Sequence, residues 1–351
     1  MRTSKKILNI IYICTADKGP AGGPKVIYNH SDIINKLNKN VTSEILHIRK
    51  KKYKKWNSSI KKFLNIKNSE YYGWKSDDIT VEKNFKSNWL KSNIQIKNTF
   101  NFNKHKDFVI IPEIFAHLAT DLLKGTSVPY AIFVQNGYLL NITNDYKKLN
   151  NAYKNAKFIL SYSKDITNCI NLGFKNCKHK ILRTNTSVNV KKFNLKTKKN
   201  NTITYMPRKL SHHSENLVFF LKNKLPNGWK LKSLHNLTEE KVFKELSKSK
   251  IFLSFSNMEG LGIPPIEAAI AGNYVIGYPG EGGREYWKKP IFTEIPHGNI
   301  SKFTSEILSF INSGKYKKLF FNHRKKIINQ YSLSQERMKI NHMISKILKF
   351  I

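Results

Sequence analysis

Short apolar runs recur along this chain and alternate with segments whose apolar positions return every three or four residues. The runs read as strands buried on both faces, the spaced segments as helices with one apolar stripe. Ile7 to Cys14 predicts a first strand, Thr15 to Pro24 a glycine- and proline-bearing turn, and Lys25 to Leu37 a helix. The helix rests on Val26, Ile27, His30, Ile33, Ile34 and Leu37 at helical spacing. Val41 to Ile48, Phe108 to Ile111, Tyr130 to Val134 and Phe158 to Ser161 read as further strands. Helices are predicted over Ile114 to Leu123 and Asp165 to Asn171, the second stopped by Gly173.

After a polar run from Lys191 to Asn201 the alternation restarts. Strand Thr202 to Met206 precedes a helix over Ser214 to Lys224 and a strand over Lys230 to Leu234. Thr238, followed by Glu239 and Glu240, is a helix cap with acids in the first turn, and that helix runs to Ser247. Strands Ile251 to Phe255, Tyr274 to Ile276 and Ile291 to Phe292 follow. The tail reads as helices over Lys302 to Ile311, Lys315 to Gln330 and Ser334 to Ile351. In the last, Met338, Met343, Ile344, Ile347, Leu348 and Ile351 fall largely on one side. Strands alternating with helices predict parallel sheets. The expectation is an α/β protein with two domains, 1–192 and 202–333, a linker at 193–201, a terminal helix at 334–351 and a cleft between the domains.

Composition changes this picture in three places. At 351 residues, 40% of them hydrophobic, the chain is long enough for two cores. Its three cysteines, Cys14, Cys169 and Cys177, have no metal-like or paired spacing, which fits a reducing cytoplasm. The net charge is +39, nearly all from lysine scattered through every segment. Codon bias, attraction to an anionic membrane surface and nucleic-acid binding each produce such a surface, and nucleic acid is not the expected partner. Lys5-Lys6 before an apolar run imitates a secretion signal, but the run is short and a glycine turn follows, so it reads as a strand. No apolar stretch approaches the ~20 residues of a membrane span. A cytoplasmic protein is expected, peripheral on the inner membrane face if the charge is used.

From residue 49 to 106 the alternation is lost, and basic residues interleave with aromatics: Lys50 to Trp56, Tyr71-Tyr72-Gly73-Trp74, and later Trp89. An elaborated loop region whose aromatics pack on the domain is one reading, and a membrane-interface surface the other.

The chemistry concentrates in Ser256 to Gly272, which joins two apolar runs through Glu259-Gly260-Leu261-Gly262-Ile263-Pro264-Pro265-Ile266-Glu267. Proline suits a first helical turn and glycine the position past the last, so a helix is predicted from Pro264–Pro265 to Ala271. Glu259 then stands at the turn and Glu267 in the first helical turn, at the strand end where α/β sheets bind ligands. Gly260 and Gly262 permit close approach of a ligand, and a helix N-terminus favours phosphate.

Glu259-x7-Glu267 with its glycines and the following Ala271-Gly272 resembles the signature of retaining GT-B glycosyltransferases of family 4. Gly22-Gly23 resembles the family's N-terminal glycine loop. Arg208-Lys209 is similar to its donor-phosphate site, Gly282-Gly283 to its Gly-Gly segment, and Arg183 to Phe193 to the lead-in to its linker. The resemblance implies two Rossmann-like domains facing a cleft, with a C-terminal helix packing back on the N-domain. It implies transfer of a sugar from a nucleoside-diphosphate sugar to a glycan or lipid-linked acceptor, without metal or other cofactor. Glu267 would hold the ribose; Glu259 and the Gly260–Leu261–Gly262 amides would contact the sugar; Arg208 and Lys209 would neutralise the diphosphate. Many members place a histidine after the strand matching Tyr130 to Val134, where this chain has Gln135-Asn136-Gly137-Tyr138. Asn136 with Tyr138, or His117 from a neighbouring loop, are then the candidate sugar or acceptor contacts. His212-His213 reads as a helix entry.

Overall fold

The computed structural model describes residues 8–351 except 17, 18, 20, 38, 52–72, 91, 92, 315 and 317–320. Tyr53, Trp56, Tyr71 and Tyr72 of the basic, aromatic stretch thus lie outside the described residues. The chain divides into two compact units. One holds the chain as far as Tyr162 with Ile166–Thr184 and Arg337–Ile351; the other holds Ser163–Asp165 and Asn185–Glu336.

The first unit is built on a sheet of β1 (Leu8–Thr15), β2 (Val41–Lys50), β3 (Ile79–Val81), β4 (Gln95–Lys97), β5 (Asp107–Pro112), β6 (Tyr130–Val134), β7 (Ile159–Ser161) and β8 (Ile181–Arg183). Their order is β3-β2-β1-β5-β6-β7-β8, with β4 also on β2. Only the β2–β3 pairing is antiparallel among these. Every residue of β5 and β6 is buried, which is why both read as unbroken apolar runs. Helix α1 (Gly22–Leu37) packs Val26, Ile27, Ile33 and Ile34 inward.

Departures from the sequence expectation have local causes. The helix expected over Ile114 to Leu123 is a 3₁₀ stretch, Glu113–Leu118, followed by the short α2 (Ala119–Leu122). Phe115 through Ala119 are all buried, so no solvated face marks a helical period there. Helix α3 (Tyr146–Asn155) went unpredicted because only Leu149, Ala152 and Tyr153 are buried; Asp145 starts it by accepting from the Lys148 amide at 2.9 Å. Strands β3 and β4, of three residues each, are too short to show a period, yet they order part of the 49–106 stretch. The predicted short helix appears as α4 (Lys164–Gly173).

The second unit carries β9 (Asn200–Tyr205), β10 (Lys230–Ser233), β11 (Ser249–Ser256), β12 (Tyr274–Pro279) and β13 (Phe292–Glu294), ordered β10-β9-β11-β12-β13 and all parallel. Around it lie α5 (Ser211–Lys222), α6 (Glu239–Lys248), α7 (Ile263–Ile270), α8 (Ile300–Asn312) and α9 (Phe321–Gln330). Thr238 caps α6 as expected, accepting from the Lys241 amide. The run expected to be a linker is packed. Phe193 is buried edge-on to Phe243 at 4.7 Å, the Asn194 amide donates to Ser247 Oγ, and β9 already begins at Asn200.

The last helix, α10 (Leu333–Ile347), belongs to the first unit from Arg337 on. Its buried stripe is Ile340, Met343, Ile344 and Ile347, and Tyr12 Oη donates to Met343 Sδ at 4.0 Å. Met338 and Leu348, expected on that stripe, are more than half exposed. Met338, two positions before Ile340, is off the i, i+3, i+4, i+7 row, and Leu348 follows the last helical residue, Ile347.

Gly277, inside β12, has φ +139°, and a Cβ there would overlap the Ser254 carbonyl and come within 2.8 Å of Phe303. Both neighbours belong to the core, so neither yields cheaply. Gly277→Ala is expected to cost about 3 kcal/mol or more, read as a lower thermal midpoint of the second unit.

Candidate functional site

In the second sheet the chain passes from β9 outward to β10, then returns to the other side of β9 as β11. Such a reversal opens a crevice at the carboxyl ends of the two central strands. The turn after β9 carries Arg208 and Lys209, both exposed, and the turn after β11 carries Glu259. Lys209 Nζ and Glu259 Oε1 form an ion pair across this point. Arg208 has no ion-pair partner among the described residues.

The glycines explain how the Glu259 turn is held. The Gly282 amide donates to the Glu259 carbonyl at 3.1 Å, and a Cβ on Gly282 would overlap the Gly260 carbonyl. The turn after β12 therefore lies directly on the turn after β11. Gly262 adopts φ +76°, which a side chain would strain, and Tyr286 Oη donates to its carbonyl at 2.6 Å. Gly260, Leu261, Gly262, Gly282 and Gly283 are all buried in this double turn. Arg284 points to other partners, Glu281 at 2.7 Å and Glu294.

Helix α7 runs from Ile263 to Ile270, one residue earlier at each end than expected, and Gly272 stops it just past the cap as expected. The Asn273 amide reaches the Ala268 carbonyl and the Gly272 amide that of Ala269, with Gly272 at φ +86°. Glu267, 9% exposed, lies in its second turn. The expectation that the helix N-terminus offers amides to an anion needs narrowing. Pro264 and Pro265 own no N–H, so only Ile263 and Ile266 of the first four residues do. Positive charge at this site comes from Arg208 and Lys209.

The remaining predicted residues belong to the first unit. Gly22 and Gly23 form the first turn of α1 and not a loop before it. A Cβ on Gly23 would overlap Gln135 Oε1, while Gln135 Nε2 donates to the Gly23 carbonyl at 3.2 Å; Gly22 faces open space. Asn136 Oδ1 accepts from the Tyr138 amide at 3.0 Å, and both residues are partly exposed. His117 is 4% exposed, with Nε2 bonded to the Trp74 carbonyl at 2.9 Å, and burial lowers its pKa. A ring so enclosed and so bonded acts within the core, which corrects the expectation that it approaches a sugar. Back in the second unit, His213, in the first turn of α5 as expected of a helix entry, has Nδ1 3.1 Å from Tyr278 Oη.

Comparison with known proteins gives one short sequence relation and a whole-chain structural one. No family model matches the chain. An alpha-1,6-glucosyltransferase of Actinobacillus pleuropneumoniae is 30% identical over 115 residues, 31% of this chain. The match spans about a third of that relative's length (33%). The structure of HepE from Anabaena, in complex with UDP and glucose, superposes with a TM-score of 0.63 over 98% of this chain and 100% of its own, at 10% identity. A glycosyltransferase from Rickettsia africae gives 0.64 over 98% and 99%, at 16% identity. The fold is GT-B.

In this GT-B chain the second unit brings together Arg208, Lys209, Glu259, the Gly260–Gly262 turn, Gly282 and Gly283, with Glu267 on the helix that follows. The first unit brings together Gly23, Gln135 and Asn136. Sequence reading missed what holds that second group. Glu113, just past β5, is 3% exposed; its Oε2 accepts from the Gln135 amide at 3.0 Å and its Oε1 from the Asn136 amide at 2.9 Å. An acid immediately after the apolar run Phe108 to Pro112 was the available signal.

Burial raises the Glu113 carboxyl from its ordinary 4.5 to about 7, against the opposing pull of the amides. The folded chain then keeps a proton that the unfolded chain has lost between those pH values. Stability from this group is complete below pH 4.5 and falls as pH rises to 7. Glu113→Gln removes that slope. The unfolding free energy of the wild type, relative to the variant, should fall by on the order of 3 kcal/mol across the window. Denaturant unfolding of both proteins at several pH values measures it, and a flat difference would show an unshifted carboxyl.

Proposed function

We propose that the chain is a glycosyltransferase that moves a sugar from a nucleoside-diphosphate sugar to a glycan or lipid-linked acceptor. The observation that carries this reading is the Lys209–Glu259 pair at the strand reversal of the second sheet. It puts a cation and a carboxylate side by side at a turn whose shape is held by buried, close-packed glycines. A diphosphate is drawn to Arg208 and Lys209 and competes with Glu259 for the lysine, which frees the carboxylate for sugar hydroxyls. Glu267, acceptor-only and able to bind a diol through both oxygens, is assigned the ribose. Charge grows on the leaving diphosphate as the glycosidic bond breaks, and the two cations stabilise it there, so no metal is required of this scheme. HepE has been crystallised with UDP-glucose and superposes over 98% of this chain, which supports a nucleotide sugar as donor class.

The finer reading follows the Glu-x7-Glu resemblance: family 4, retention of configuration, and cell-surface polysaccharide or glycoconjugate synthesis. In a retaining transfer guided by the leaving phosphate neither glutamate need act as a general base, and the pair serves as a donor clamp. The +39 charge supports action at an anionic membrane face. No described helix is long and apolar enough to cross a membrane.

Titration with UDP-, GDP- and dTDP-sugars, followed by assay of donor hydrolysis, tests the proposal. Glu267→Ala is expected to abolish detectable donor binding, and Lys209→Ala to lower the rate by roughly 10²–10³. Full activity in Glu267→Ala would sink it. So would binding of no nucleotide sugar together with tight, steeply salt-dependent binding to DNA.

A further inference from the structure

We propose that the first unit carries a subsite for the anionic group of a sugar, built from Arg49, Lys83 and Lys86 at the carboxyl ends of β1 and β2. The reading of the chain as a glycosyltransferase enters only in calling that sugar the acceptor. A pocket of about 340 Å³ opens there between Ala16, just past β1, Arg49, near the end of β2, and the loop 82–88 that follows β3. Carboxyl ends of parallel strands are where open α/β sheets receive ligands. The volume suits one monosaccharide with its substituent, at the small end of ligand pockets.

The wall is fixed before any ligand arrives. The Glu82 amide donates to the His47 carbonyl at 2.9 Å. The Phe85 ring packs on the His47 ring with centroids 4.3 Å apart. His47 is itself buried and bonded to Tyr28 Oη at 3.1 Å. Asn84 exchanges two hydrogen bonds with the Asn98 side chain, at 2.8 and 3.0 Å. A loop tied at three points loses little freedom on binding.

Three cations line this pocket against one acid. Glu82 forms an ion pair with Arg49 through its Nε, so the one acid of the pocket is already engaged with one of the three cations. Lys83 and Lys86 are exposed and have no acidic partner among the described residues. A planar fork beside two point charges suits a phosphate or a carboxylate. The exposed Asn88 adds an amide for a hydroxyl. A phosphorylated sugar or a uronic acid is the chemical class, and an uncharged sugar is not.

Calorimetric titration of the full chain at about 0.15 M salt with glucose 6-phosphate, glucuronate and glucose tests this, the salt screening long-range attraction. Three proteins are compared: wild type, Lys83→Ala/Lys86→Ala, and Lys222→Ala/Lys224→Ala, which removes the same charge from the exposed end of α5. The expected result is saturable binding of at least one anionic sugar and none of glucose. Its Kd should rise about tenfold or more in the first double variant and not in the second. Whichever anion binds identifies phosphate or carboxylate as the group. Binding of neither, equal binding of glucose, or equal weakening in both double variants overturns the subsite. Nucleotide-sugar binding is followed in the same proteins. Its absence from all three would overturn the donor reading and leave the anion result to decide the subsite alone.

Discussion

Two turns in the second unit touch backbone to backbone, with no space for a side chain between Gly282 and the Gly260 carbonyl. That contact determines much of what surrounds it. It stacks the end of β12 on the end of β11 and presents Glu259 toward the turn after β9, where Lys209 meets it. Tyr286, buried and bonded to the Gly262 carbonyl, closes the same turn from the β12 side. A larger residue at Gly282 would separate the turns and with them the charged pair. The glycines here act through what they exclude, as much as through the φ angles they permit.

Charge is distributed to suit that geometry. The helix after the double turn has two prolines in its first turn, so its end has fewer N–H groups than a phosphate-binding helix commonly offers. Side chains from β9's turn supply the missing positive charge. They can move, as fixed amides cannot, and Lys209 has a carboxylate to return to when no anion is present. The first unit uses the opposite device. There a buried carboxylate, Glu113, takes two consecutive amides and sets the path of the loop that meets Gly23. Charge is mobile at one site and enclosed at the other, where burial raises the Glu113 carboxyl.

The basic stretch after β2 takes a different place in this account than its composition implies. The described part of it is a folded wall, with β3 and β4 on β2 and Phe85 on His47. Its lysines therefore stand at defined positions around a pocket at the sheet's carboxyl edge.

By itself the sequence determined most strands and helices of both units, the parallel pairing of those strands and the residues at their carboxyl ends, though not β3, β4, β8 or α3. Burial on both faces writes β5, β6 and β11 as apolar runs, and Thr238, Gly173 and Gly272 mark helix ends through local hydrogen bonding. The tertiary structure decided the rest. It placed Gly282 against Gly260, and Lys209 beside Glu259, across separations of 22 and 50 positions. It gave Glu113 to the loop after β6 and His117 to the core, and it took the linker into the second unit. Such contacts leave no periodic trace, because each depends on which strand lies next to which. That choice is made by packing over the whole unit, and no window of neighbouring residues contains it.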